Sequence, residues 1–189
     1  MSNKVIKGVI DGSSLGDIGI GVLASFALAL AAPLTIHLPF SPIPMTIQVQ
    51  LVFFLSVLLG PKKALVMVLA FLLQGAMGWP VFAGGASGVI NMIGPRGGYL
   101  VGYLISAYFV GKLYRNSQKK SALRLFFCMG IGNLIVYACG FSWLAGYVGL
   151  KKAFFLGIVP FAFLDFVKLS LFTALKAAVV ELLHVSKKY

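Results

Sequence analysis

Asp165 and Lys168 stand three residues apart inside an apolar stretch, and no other pair of side chains in the sequence offers as much chemistry. The stretch runs from Ala153 to Leu183. At 1.5 Å per helical residue it is long enough to cross the hydrocarbon of a bilayer, which takes about 20 residues. Insertion scales put an aspartate or a lysine at mid-membrane at roughly 2.5–3.5 kcal/mol each, so such groups face a neighbour, a cavity or a ligand. Three residues is near one helical turn, which aims both side chains at the same space. Two readings follow: a pair that neutralises itself for structural reasons, or the polar floor of a site for a solute. A carboxylate accepts N–H groups and an ammonium donates to carbonyl or carboxylate oxygens, so a floor of this kind suits a small solute bearing both.

The elements that must position this pair are read from composition. The chain has 189 residues, 60% of them hydrophobic, and a mean hydropathy of +0.99, well beyond a soluble domain. We read it as an integral membrane protein. Sixteen Lys and Arg against four acids give a net charge of +12, but the basic residues form no continuous patch for nucleic acid. No charged residue occurs from Ile18 to Pro61, from Ala64 to Pro95 or from Leu125 to Leu150. These runs predict an all-α bundle of six transmembrane helices in a single domain spanning residues 1–189. Residues 1–17 are a polar N-terminal segment, 18–183 the bundle and 184–189 a basic tail.

Span one is expected over Ile18–Ala32 and span two from about Met45 to Leu59, separated by the rigid stretch Pro39–Pro44 (PFSPIP). Gln48, in the first turn of span two, should face the interior, since lipid rejects an amide. Span three covers Ala64 to about Met77. Pro80–Gly98 then holds six glycines in nineteen residues and reads as a loop folded back over the bundle, with Trp79, Val81, Phe82 and Met92 in apolar contact. Span four starts near Tyr99, with Gly98, Gly102 and Ser106 as a stripe for close helix packing. Span five is Leu125 to about Leu144, and span six carries Pro160, Asp165, Lys168 and Lys176. Small residues four apart in span one, Gly21 with Ser25 and Ala27 with Ala31, offer a further packing stripe.

Charge sets the orientation. Lys4, Lys7, Lys62, Lys63, Lys112, Arg115, Lys119, Lys120, Arg124, Lys187 and Lys188 make eleven basic residues on the side of the termini, and Arg96, Lys151 and Lys152 make three on the other. Both termini are therefore expected in the cytoplasm. The proline and glycine loops then lie outside, with Asp165 about 7 Å below Pro160. Lys176 reads as a lysine snorkelling to the cytoplasmic interface.

Several activities lack their residues. No GxxxxGK[ST] phosphate loop is present, and Gly85-Ala86-Ser87-Gly88 misses the GxSxG spacing of a nucleophile elbow. His37 and His184 are isolated, and Cys128 and Cys139 lie eleven apart in one span, too far to bridge. No enzyme, no metal site and no cofactor is expected. What remains is binding and translocation of a solute at the cell membrane.

Pro42–Gln48 (PIPMTIQ), Leu59-Gly60-Pro61-Lys62, the run Gly78–Gly85 (GWPVFAGG) and the run Gly94–Leu100 (GPRGGYL) resemble the BioY family, the biotin-specific substrate-capture (S) component of energy-coupling-factor (ECF) transporters. The resemblance covers nearly the whole chain in order and spacing. It implies six helices, an outward pocket roofed by the loops after spans one and three, and biotin held by Asp165 and Lys168, with Gln48, Gly84, Gly85 and Asn91 as pocket lining. Arg96, where members often carry Thr, would offer a charge to the valerate carboxylate. The implied partners are biotin, a transmembrane coupling subunit and two ATPase subunits. Members of the family commonly use an Ala-x-x-x-Ala contact on the first helix for the membrane partner, and Gly21 with Ser25 stand at the corresponding site. The alternative is a stand-alone carrier for biotin or another small vitamin-like solute, in which Asp165, Lys168 and Lys176 take part.

Overall fold

The computed structural model describes residues 15–118 and 121–186, with residues 176–186 as backbone only. Lys4, Lys7, Lys119, Lys120, Lys187, Lys188 and the side chain of Lys176 lie outside the described residues. Helices α1 (Leu15–Leu30), α2 (Gln48–Leu59), α3 (Pro61–Ala76), α5 (Gly97–Arg115), α6 (Ala122–Val148) and α8 (Val159–Ser186) build the bundle. Two short helices, α4 (Val89–Ile93) and α7 (Leu150–Gly157), and a two-stranded ribbon complete it. The segment Leu150–Leu175 and α6 are long and apolar enough to cross a membrane, and α1 and α2 are shorter apolar helices. Large apolar side chains point out of the bundle on several helices, among them Leu23, Leu134, Phe163 and Leu171, each more than 60% exposed. A surface of that kind has lipid as its solvent, and the chain is a membrane protein.

Helix starts and stops follow local chemistry. Gly60, at φ +80°, makes the turn between α2 and α3, and Pro61 opens α3 at the position where a missing N–H costs nothing. Asp17 in the first turn of α1 meets Lys63 in the first turn of α3 at 3.0 Å, tying the two helices at the end away from the proline loop. Ser121 caps α6, its hydroxyl accepting from Arg124 N–H.

Glycine governs how closely the helices approach. A Cβ on Gly102 of α5 would stand 2.9 Å from the Cα of Val136, and one on Gly98 would stand 2.5 Å from the carbonyl oxygen of Cys139. On α6, Gly140 receives the ring of Tyr99 and Gly132 receives Val110 and Phe53. The stripe read from Gly98, Gly102 and Ser106 is therefore the face α5 turns to α6. On α3, Gly75 makes room for Phe82, whose ring packs edge-on against Phe71 with centroids 5.5 Å apart.

Three sequence expectations are corrected. Span six is not one helix: α7 ends at Gly157 and α8 begins at Val159, with Ile158 out of helical geometry at φ −122°. Pro160 is the cause, since it can neither donate to Leu156 nor fit its ring against that carbonyl. Span two starts later than Met45, because Met45–Thr46 pairs antiparallel with Thr35–Ile36 to make the ribbon before α2 begins. The packing stripe of Gly21 and Ser25 is filled from within the chain, so it is not an open face for the partner contact that the resemblance implies. A Cβ on Gly21 would fall 2.7 Å from Val66 of α3, and Ser25 is fully buried with its hydroxyl accepting from Gln74 of α3.

Gly102→Val forces a side chain against backbone, and we expect it to destabilise the protein by about 1–3 kcal/mol, seen as a lower melting midpoint of the detergent-solubilised protein. Gly146→Ala, where a Cβ meets nothing within 4 Å, should leave that midpoint unchanged or raise it.

Candidate solute-binding site

The last helix presents one stripe to the bundle: Phe161, Asp165 and Lys168 recur at helical spacing and all line one cleft. Ile43, Pro44 and Thr46 from the segment around the ribbon form one wall, and Phe82, Ala83 and Asn91 from the glycine-rich segment form another. Tyr99, Tyr103, Val136 and Tyr137 of α5 and α6 close the back, and Arg96 stands at the start of α5. Counting its mouth and the open space in front of it, the cleft takes in about 710 Å³.

Asp165 is 6% exposed. Its Oδ1 accepts from Lys168 Nζ at 2.6 Å and from Gln50 Nε2 at 3.1 Å, and its Oδ2 accepts from the hydroxyl of Tyr137 at 2.5 Å. Lys168 Nζ also donates to the carbonyl of Thr46 at 2.9 Å, so the ammonium bridges α8 and the ribbon. A buried ion pair is tolerable only when its remaining lone pairs and protons find partners. Among the described residues three of the roughly four lone pairs of the carboxylate are engaged, and two of the three ammonium protons. One acceptor position and one donor position are left unused among the described residues, on two side chains that line the cleft.

Of the residues singled out in the sequence, the structure gathers Asp165, Lys168, Gln48, Asn91 and Arg96 around the cleft. Gln48 is buried, and its Nε2 donates to the carbonyls of Leu28 and Val81 at 2.8 and 2.9 Å. Its amide nitrogen thus fastens the end of α1 and the glycine-rich segment to α2. Asn91 Nδ2 donates to Ser87 within its own segment. Arg96 Nε donates to the carbonyl of Pro42 at 3.2 Å. Partial burial lowers the pKa of that guanidinium from its ordinary value, yet it stays cationic at physiological pH.

Gly84 and Gly85 are not brought to the cleft. Both are exposed with positive φ, +72° and +75°. Gly84 N–H donates to the carbonyl of Ala32 and to the Thr35 hydroxyl, and its open face is covered by His37. Their part is to let the backbone turn there and approach the ribbon. Of the residues expected over the cleft, Val81 and Phe82 are buried, whereas Trp79 is half exposed beside Phe26.

Sequence reasoning did not place Tyr137, Gln50 or Thr46 in the site, although Thr46 and Gln50 stood out as polar groups that lipid would reject. Gln50 had a signal, an amide in an apolar helix one turn from the ribbon, but its partner lies 115 residues away. Tyr137 had none, because a tyrosine in a membrane helix is unremarkable until its hydroxyl is seen on a carboxylate. Gln50 carries a second observation: it is fully buried, and its Oε1 finds no hydrogen-bond partner among the described residues.

A model of the BioY family matches residues 4–185. A probable biotin transporter BioY from Pyrococcus horikoshii is 34% identical over 149 residues, covering 79% of this chain and 88% of that protein. The biotin transporter BioY of Thermotoga maritima is 39% identical over 136 residues, covering 71% and 79% respectively. Among solved structures, the chain resembles a crystal structure of the S-component for biotin from an ECF-type ABC transporter. The TM-score is 0.74 across 96% of this chain and 94% of that one, and at 22% identity the likeness shows a shared fold. With the family match running through all the helices that frame the cleft, the chain belongs to the BioY family.

Proposed function

We propose that this protein captures biotin in the cleft beneath the proline-rich and glycine-rich segments, as the substrate-binding subunit of an ECF-type ABC transporter. The observation that carries this reading is the buried ion couple itself, Asp165 with Lys168 lining the cleft; among the described residues it leaves one lone pair on Asp165 and one proton on Lys168 unused. The bicyclic head of biotin is a cyclic urea, with N–H and C=O side by side along one edge. That edge matches the two vacancies, Asp165 accepting the ureido N–H and Lys168 donating to the ureido oxygen. The relatives named as biotin transporters support the same solute. The tetrahydrothiophene ring and the alkyl chain find apolar walls in Ile43, Phe82, Val136 and Phe161. Arg96, tethered through Nε, keeps its outer nitrogens for the valerate carboxylate.

In this reading the six helices of the bundle together cross the membrane, with both termini cytoplasmic and the cleft open to the outside. The eleven-to-three division of basic residues supports it. A transmembrane coupling subunit and two ATPases drive release to the cytoplasm, and uptake requires ATP and co-expression of those subunits. Uptake by the chain alone, without them, would show the stand-alone carrier instead.

Asp165→Asn keeps the shape and removes the charge. We expect it to weaken biotin binding tenfold or more, the equivalent of about 1.4 kcal/mol for a charge-assisted hydrogen bond. Calorimetry of the purified protein with biotin, against riboflavin and thiamine, checks both the solute and the variant; retained affinity in a folded Asp165→Asn protein would make the pair structural. Arg96→Gln should weaken biotin about tenfold but leave unchanged the affinity for biotin amide, which lacks the carboxylate. In intact cells a membrane-impermeant thiol reagent should label a cysteine placed at Lys151 and spare one placed at Asn116, in a background without Cys128 and Cys139. The reverse pattern would invert the topology.

A further inference from the structure

Pro160 stands one residue into α8 and has no N–H to give. The carbonyl four residues earlier, that of Leu156, therefore lacks its helical donor. The bend disturbs the next carbonyl as well, because Phe161 N–H turns to Ile158 O at 3.0 Å and leaves Gly157 O. Bare carbonyls inside an apolar bundle are strongly disfavoured, so a helix break of this kind needs donors from elsewhere.

Both carbonyls have one. The hydroxyl of Tyr99 donates to Gly157 O at 3.0 Å, and the hydroxyl of Ser41 donates to Leu156 O at 2.7 Å. Tyr99 comes from α5, but Ser41 comes from the proline-rich segment 115 residues away. The same Ser41 oxygen accepts from the N–H of Ile43 at 3.2 Å, so it is used in both directions. Two and three residues on, Ile43 and Pro44 form a wall of the cleft, and Phe161, the third residue of α8, begins the stripe that leads to Asp165 and Lys168.

We propose that Ser41 is a positioning residue for the solute site: its hydroxyl, held between Ile43 N–H and Leu156 O, fixes the start of α8 against the proline-rich wall. It touches no solute. It sets the distance between the wall and the stripe of α8, and so governs how firmly a solute between them is retained. This rests on the reading of the cleft as a biotin site. Loss of the hydroxyl lets the two sides separate, which raises the dissociation rate and leaves association nearly untouched.

The test compares wild type, Ser41→Ala and Ser41→Thr in lipid nanodiscs, by hydrogen exchange without biotin and by the kinetics of biotin binding. In Ser41→Ala the backbone amides of Ile158, Val159, Phe161 and Ala162 should exchange about three- to tenfold faster, as the loss of one hydrogen bond implies. Biotin dissociation should accelerate by a similar factor, with association changed less than about twofold. Ser41→Thr, which keeps the hydroxyl on an extended residue before a proline, should restore both. Unchanged exchange at those amides in Ser41→Ala, unchanged dissociation, or a Thr variant that behaves like the Ala variant, overturns the proposal. Wild type that fails to bind biotin overturns the biotin reading instead, and with it the retention role, while the exchange measurement still reports whether the hydroxyl holds the helix break.

Discussion

A carboxylate that is 6% exposed has to be satisfied by the protein itself, and much of the architecture around the cleft can be traced to that demand. Asp165 collects donors from three other places: Lys168 on its own helix, Gln50 on α2 and Tyr137 on α6. Each donor fixes the angle of the element that carries it. Lys168 in turn reaches the carbonyl of Thr46, which draws the ribbon into the same network. Burying an ion pair contributes little net stability, because desolvation offsets most of the attraction. Its use here is to lock four elements in register around a cleft.

Much of this was legible in the sequence, and the limits have physical reasons. Apolar runs between basic clusters located the bundle helices, because hydrocarbon permits so few backbone arrangements. The spacing of Asp165 and Lys168 placed both on one face without any knowledge of their neighbours. The break at Ile158 was harder to see, although Pro160 was in view, since a proline in the first turn of a helix is well tolerated and one in its middle is not. Which of these applied depended on Ser41 and Tyr99 being present to take the freed carbonyls. The short ribbon was invisible for a similar reason: two residues on each side carry no period-two pattern to read.

The glycines divide in an instructive way. Gly84 and Gly85 were expected as cleft lining from the family resemblance alone, yet they serve conformation and the approach to the ribbon. Gly21 with Ser25 reads as a docking stripe, yet it is filled by α3. Small residues show where something comes close. They do not show whether the visitor is a ligand, another protein or the next helix of the same chain.

The segment from Pro80 to Gly98 has a loop's composition, but it is riveted to three helices. Gly84 N–H is held by Ala32 O at the end of α1, Gly88 N–H by Gly75 O on α3 and Gly94 O by the indole of Trp143 on α6, with Tyr147 bonding Ile93 O beside it. The loss of chain entropy that a glycine-rich stretch brings is thus settled when the protein folds. A molecule entering the cleft meets this wall already in place, and the heat-capacity change of its binding reflects the burial of its own surface rather than the ordering of a peptide.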